Sequence, residues 1–128
     1  MARKASRKTL IRKLDSVCRK IVLHRDGWRC VRCGLLDYEG GRLDASHVIP
    51  KKRGYHVRWV PENIKILCKK CHLSWWHTDP FAGAWLEDLL ERTDPDRLER
   101  IKTLNQEQTK SFKDNDLREL LKELEAQL

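Results

Sequence analysis

Four of the five cysteines stand in two C-x-x-C pairs, Cys30-Val-Arg-Cys33 and Cys68-Lys-Lys-Cys71, with 34 residues between them. Each knuckle turns two sulfurs toward one point, and thiolates are preferred zinc ligands, so the four side chains are expected to close a tetrahedral zinc site. A site with four protein ligands has no open position; its ion stabilises the fold and does no chemistry. Between and just after the knuckles lie Asp44-Ala-Ser-His47, Pro61-Glu-Asn63 and Cys71-His72. Imidazole is the side chain best suited to take a proton near neutral pH or to ligate a metal, so any reactive centre is sought among these residues.

The elements that must position them follow from periodicity. Over 9–24, Leu10, Leu14, Val17, Cys18, Ile21 and Val22 recur at three- and four-residue steps, one stripe of an amphipathic helix; Cys18 falls on that stripe and reads as core. Two extended segments are expected, 42–49 and 59–68, separated by the basic, glycine-containing stretch 50–55, which makes a long hairpin between the knuckles. A short helix over 71–77 is stopped by Pro80. Helices over 81–91, from the Asp94-Pro95 break to about 104, and over 114–128 complete the chain. The last carries Leu117, Leu120, Leu121 and Leu124 on one face, to dock on the core or on a partner such as a second copy. The reading is α+β: a basic flexible arm over 1–8, an N-terminal helix with the metal-stapled core over 9–92, and a C-terminal helical extension over 93–128.

The formal charge of +8 is unevenly spread. Residues 1–85 carry 19 Lys and Arg against 7 acids, whereas residues 86–128 carry 8 against 12. The basic part is the candidate surface for a polyanion. Lys51, Lys52, Arg53, Arg58, Lys65, Lys69 and Lys70 surround the proposed site and suit a sequence-independent grip on phosphates. No apolar run approaches the roughly 20 residues of a membrane span. Met1 is followed by basic and polar residues, so a cytoplasmic, reducing location is expected, and disulfides are a poor account of the cysteines.

A histidine ending a first strand, an asparagine before the second, and a histidine directly after the last zinc cysteine make the chain resemble the HNH, or ββα-metal, endonucleases. A closer likeness runs along the chain: Leu-Ile-Arg-Lys-Leu-Asp, Cys-Val-Arg-Cys-Gly, Ala-Ser-His-Val-Ile-Pro, His56-Val-Arg58-Trp-Val-Pro-Glu-Asn63 and Asp-Leu-Arg-Glu-Leu-Leu-Lys-Glu-Leu resemble the NinG (Rap) family of phage recombination nucleases. The resemblance implies a structure-selective enzyme acting on branched DNA such as Holliday junctions and D-loops, working in the host-cell cytoplasm.

It further implies roles. Phosphodiester hydrolysis needs a deprotonated water in line with the leaving oxygen and positive charge where the phosphate gains negative charge. By the family pattern His47 is the general base, Asn63 fixes the loop that aims it, and His72 binds one catalytic divalent ion, Mg2+ or Mn2+ by preference, although a histidine site also suits zinc or nickel. Many HNH nucleases carry an Asp or His ligand directly before the base; here that position is Ser46, which leaves the ligand set incomplete. Asp44 and His77 are the nearest candidates, but Asp44, three residues before His47, points to the opposite face of a regular strand. His56 and Arg58 match a family motif and either contact phosphate or brace the hairpin. His24 reads as a surface residue. Five tryptophans, including Trp75-Trp76 beside the site, serve helix packing more readily than base stacking. The competing reading is a zinc-dependent DNA-binding protein without catalysis; an RNA-binding zinc ribbon gives no reason for His47 and Asn63.

Overall fold

The computed structural model describes residues 4–128. Helix α1 spans Arg7–Arg25, and the Ser6 hydroxyl oxygen accepts from the Thr9 N–H at 3.2 Å, one of the donors that a helix start leaves unpaired. Of the basic arm expected over 1–8, residues 1–3 lie outside the described residues, and Arg7 and Lys8 are already helical because Ser6 supplies the cap. The stripe expected from the sequence is the buried one, with Leu10, Leu14, Val17, Cys18 and Val22 joined by Leu23. At the far end the chain turns through left-handed Gly27 and Trp28, with the Trp28 N–H on the Leu23 carbonyl at 2.9 Å.

Strands β1 (Leu43–His47) and β2 (Ile64–Cys68) pair antiparallel, from Leu43 opposite Cys68 to His47 opposite Ile64. The sheet has only these two strands among the described residues. The second strand was expected to begin at 59; it begins five residues later. Residues 48–63 instead form a folded excursion: a 3₁₀ turn at Lys51–Arg53, a short helix α2 (Tyr55–Arg58) and a second 3₁₀ turn at Pro61–Asn63. Trp59 explains the difference, since it is 2% exposed and packs its ring on Tyr55 and Phe112 instead of extending along β1.

After β2, helix α3 (Lys69–Cys71) runs directly into a π-helical turn, His72–Trp76. Helices α4 (Ala82–Thr93), α5 (Pro95–Gln106) and α6 (Asp114–Glu125) follow. Asp94 separates α4 from α5 and caps the latter by accepting from the Arg97 N–H, with Pro95 in the first turn, where its missing donor costs nothing.

Two apolar cores result. One gathers α1, both strands, three zinc-site cysteines and Leu117 and Leu124 of α6. The other joins Ile49 and Val57 of the excursion to Leu86, Leu90, Leu98, Ile101 and Leu104 of α4 and α5, and Trp76 packs against both. The leucine face of α6 therefore lies on α1 of the same chain, where burying Leu117 and Leu124 contributes about 1.5–3 kcal/mol each. Leu120 and Leu121 of the same face are half-buried. The C-terminal segment also reaches the site from the opposite side. Arg97 of α5 donates to the Glu62 and Ile64 carbonyls at 2.9 and 3.0 Å, and Arg25 of α1 donates to those of Pro61 and Ile64 at 2.6 Å each. Among the described residues, no helix is long and apolar enough to cross a membrane.

Candidate active site

The four knuckle sulfurs all lie within 4.8 Å of one another, with Cys33 and Cys68 at 3.7 Å. Zinc–sulfur bonds of about 2.3 Å place tetrahedral sulfurs about 3.8 Å apart, so the donor set fits the ion. Each knuckle is closed by an amide on its first sulfur, Cys33 N–H to Cys30 and Cys71 N–H to Cys68, both at 3.4 Å. Against the penalty of burial, the backbone N–H groups of Cys33, Cys68 and Arg32 hold the Cys30 thiol down to about 7, whereas burial pushes Cys71 up to about 12. The Val31 N–H bonds the Ile66 carbonyl at 2.9 Å, tying the first knuckle to β2. The second knuckle leads straight into His72, so the metal staple sets the start of the helix that bears it.

His47 ends β1, and its Nε2 lies 2.8 Å from the Arg58 carbonyl. A carbonyl only accepts, so Nε2 carries the proton and Nδ1 keeps the lone pair. Burial, with Lys51 and Lys65 nearby, lowers the His47 pKa below its ordinary value against the opposing pull of the Arg58 carbonyl and Asp15. The ring is neutral at physiological pH with Nδ1 able to take a proton.

Asn63 is fully buried and touches no reacting position itself. Its Oδ1 accepts from the Ile49 N–H at 2.8 Å, and its Nδ2 donates to the Ile49 and Val57 carbonyls at 3.1 and 3.0 Å. One side chain thus ties the two ends of the 49–57 excursion to the start of β2. Arg58, whose carbonyl orients His47, is the next residue along.

His72 is locked the other way. Its Nδ1 is 2.9 Å from Asp44 Oδ2, so Nδ1 holds the proton and Nε2 the lone pair. His77 Nε2 lies 3.1 Å from that nitrogen. Two imidazole nitrogens bound side by side at about 2.1 Å to one ion are separated by about this distance. In an α-helix residues five apart diverge by about 140° around the axis; the π-helical turn closes i to i+5 and stacks them. Asp44 backs His72 as an orienting carboxylate, its other oxygen paired with Lys69. Although burial opposes it, the pairing with Lys69 and His72 holds Asp44 below the usual carboxylate range. Asp44 and His47 were expected on opposite faces of β1; both nevertheless border one cleft, because β1 is an edge strand and side chains from either face can reach the space beside it.

That cleft, about 500 Å³, runs from Asp15, Cys18 and Arg19 of α1 past His47 and Asp44 to His72. A second hollow of about 370 Å³ also contains His47 and His72, and opens toward His77 and Trp76. The two imidazoles therefore share one continuous surface depression.

The basic residues divide. Lys51, Arg58 and Lys69 line the cleft, and Lys52 and Lys70 are exposed. Arg53 is exposed but donates to Asn105 of α5. Lys65 does not meet solvent: at 1% exposure its Nζ lies 2.9 Å from Ser46 Oγ and 3.3 Å above the Trp76 ring. Burial pushes its pKa down to about 6. The expectation that Lys65 grips phosphate is therefore corrected: β2 is covered on both faces, so the lysine is buried with the rest of the strand. His56 is likewise buried and is corrected as a phosphate contact. Trp59 and Trp75 are buried in packing. Asp15 and Arg19, which line the cleft from α1, went unnoticed in the sequence, because nothing in their local spacing distinguishes them from the rest of a polar helix face.

Residues 30–74, about a third of the chain, match the HNH endonuclease family model. No curated protein and no solved structure is significantly similar to the chain.

Proposed function

We propose, on the premise of an HNH endonuclease domain at residues 30–74, that this protein is a divalent-metal-dependent DNA endonuclease. The observation that carries the reading is a pair of oppositely anchored imidazoles in one cleft: His47 is held through Nε2 by the Arg58 carbonyl, which leaves Nδ1 for a proton, and His72 is held through Nδ1 by Asp44, which turns its Nε2 toward that of His77. A base and a cation-binding nitrogen pair are what hydrolysis of a phosphodiester requires.

In this reading His47 Nδ1 removes the proton from the attacking water. Asn63 acts at a distance, by pinning the excursion whose Arg58 carbonyl keeps that nitrogen free. His72 and His77 would hold the divalent ion through their Nε2 atoms, with Asp44 fixing the His72 ring and Ser46 supplying no ligand. Bound there, the ion would stabilise the charge that builds on the phosphate and the leaving oxygen. Two imidazoles favour nickel or zinc over magnesium. Lys51, Lys69 and the exposed Lys52 and Lys70 neutralise the backbone of the substrate.

The likeness to the NinG family, which extends into α1 and α6, supports branched recombination intermediates as the substrate. A panel of linear, nicked, flapped, D-loop and four-way DNA, assayed across magnesium, manganese, nickel and zinc, tests this. Metal-dependent cutting that prefers branched DNA, abolished by His47→Ala with zinc content and DNA binding retained, is the expected result. Retardation of DNA without cleavage under any of the metals refutes the nuclease reading and leaves a zinc-dependent DNA-binding protein. Equal cutting of linear duplex removes the branched-substrate part alone.

A further inference from the structure

Helix α1 lies outside the HNH match, yet it places one carboxylate against the segment that orients the base. Asp15 Oδ1 accepts from Arg58 Nε at 3.0 Å and from Trp59 Nε1 at 2.8 Å, while Oδ2 accepts from Arg58 Nη2 at 2.7 Å. Both side chains that flank the 58–59 peptide are thus bound to one group. Trp59 is buried at 2% exposure, so one of the two anchors is itself rigid. The carbonyl of that same peptide, the Arg58 oxygen, is the acceptor for His47 Nε2. We infer that Asp15 is a positioning residue for the base: by clamping Arg58 and Trp59 together it fixes the peptide carbonyl that holds His47 in its Nε2–H tautomer.

The physical argument is that a backbone carbonyl at the end of a four-residue helix is a poor anchor on its own. Helix α2 ends at Arg58, and Trp59 has already left helical geometry. Without the clamp the carbonyl can rotate, and a neutral imidazole whose Nε2–H has lost its acceptor exchanges freely with the Nδ1–H form, which has no lone pair at the reacting nitrogen. Arg58, predominantly paired with Asp15, is then part of the scaffold of the base and only secondarily a phosphate contact.

The kinetic consequence rests on the nuclease reading; the tautomer does not, which allows the two to fail separately. The zinc-loaded full chain is compared with Asp15→Asn and Asp15→Ala by ¹⁵N NMR of the histidine rings and by cleavage of DNA with manganese. Asn keeps the size of Asp and one acceptor, but sets an NH2 group against the guanidinium, so the clamp opens with little change in packing. We expect a single Nε2–H tautomer for His47 in the unaltered protein and a mixture of both tautomers in each variant. Turnover should fall about 10–100-fold, as when an outer group orienting a reactive residue is removed, with KM and zinc content nearly unchanged; Asp15→Ala, which leaves the buried Trp59 Nε1–H without its acceptor, should also lower the melting point, and Asp15→Asn less so. The acid limb of the pH–rate profile should also move to lower pH. His47 shares its cleft with Asp15 and Arg19 of α1, Asp44 of β1, Lys51 of the 3₁₀ turn, Arg58 of α2, Lys69 and His72, with Lys65 of β2 nearby; Asp44 is paired with Lys69 and His72, and Asp15 is the carboxylate whose charge raises the His47 pKa. His47 remaining wholly Nε2–H in both variants overturns the inference, whatever the rates do. If the unaltered protein cuts no DNA, the nuclease reading fails while the tautomer comparison still decides the role of Asp15.

Discussion

Replacing Asn63 by Ala should damage stability and the reactive geometry together, and the size of the first effect follows from three hydrogen bonds. Deleting the carboxamide leaves the Ile49 N–H, the Ile49 carbonyl and the Val57 carbonyl without partners in a buried place. At about 1–3 kcal/mol for each unpaired buried group, the loss has an upper bound near 9 kcal/mol. Water entering the vacated space and relaxation of the excursion recover part, so about 3–5 kcal/mol is expected. That is a large share of the roughly 5–15 kcal/mol available to a domain. For a chain of this length it corresponds to a melting point lower by about 10–20 °C. Circular-dichroism melts at fixed free zinc measure it, and cleavage rates below the transition measure the second effect. Asn63→Asp sharpens the test. Its carboxylate keeps the acceptor for Ile49 N–H but faces two carbonyls, so burial and repulsion raise its pKa, and only the protonated acid can donate. The variant should gain stability relative to the unaltered protein as pH falls through that raised pKa. If Asn63→Ala melts within about 3 °C of the unaltered protein and cuts at the same rate, the excursion is held by something else and the reasoning fails.

Other outcomes follow from the same geometry. Lys65 titrates near 6 in the fold and near 10.5 when unfolded, so the unfolded chain binds the extra proton between those values and stability should rise with pH across that window. Lys65→Met, which keeps the apolar stem, should flatten this slope and stabilise the protein near pH 7; denaturant titrations at pH 6, 7.5 and 9 check it, and an unchanged slope counts against a neutral Lys65. Cleavage should persist to a pH below the ordinary histidine value near 6.5 and fall only as His47 protonates, because burial lowers its pKa; a rate already halved at pH 7 would contradict this. Chelating the zinc should unfold the knuckles and release all four thiols to a thiol reagent, with zinc loss steepening in acid as thiolates protonate; a metal-free protein with an unaltered melt would show that the cysteines are not a staple. His77→Ala should weaken manganese activation at least tenfold while sparing DNA binding; an unchanged metal dependence removes His77 from the ion's ligands.

Much of this arrangement is written in short-range spacing. Each C-x-x-C pair is a local turn that brings its own two sulfurs together, and two such pairs signal the four-thiolate cluster that the fold then closes. The stripe of α1 and the leucine face of α6 follow from a 3.6-residue repeat, and the chemistry available to His47, Asn63 and His72 follows from their side-chain types. None of that says where a proton sits or what a side chain touches. The tautomer of His47 depends on a carbonyl eleven residues away, and that of His72 on a carboxylate across the sheet edge. His77 meets His72 only because the helix widens into a π turn there. Lys65 looks like a surface lysine until α1 and Trp76 close over both faces of β2, and Asp15 looks like any helix acid until the fold brings Arg58 and Trp59, more than forty residues on, to its two oxygens. Burial and hydrogen-bond pairing are set by contacts between segments remote in the chain, so they became legible only in three dimensions, whereas local periodicity and ligand spacing were legible from the start.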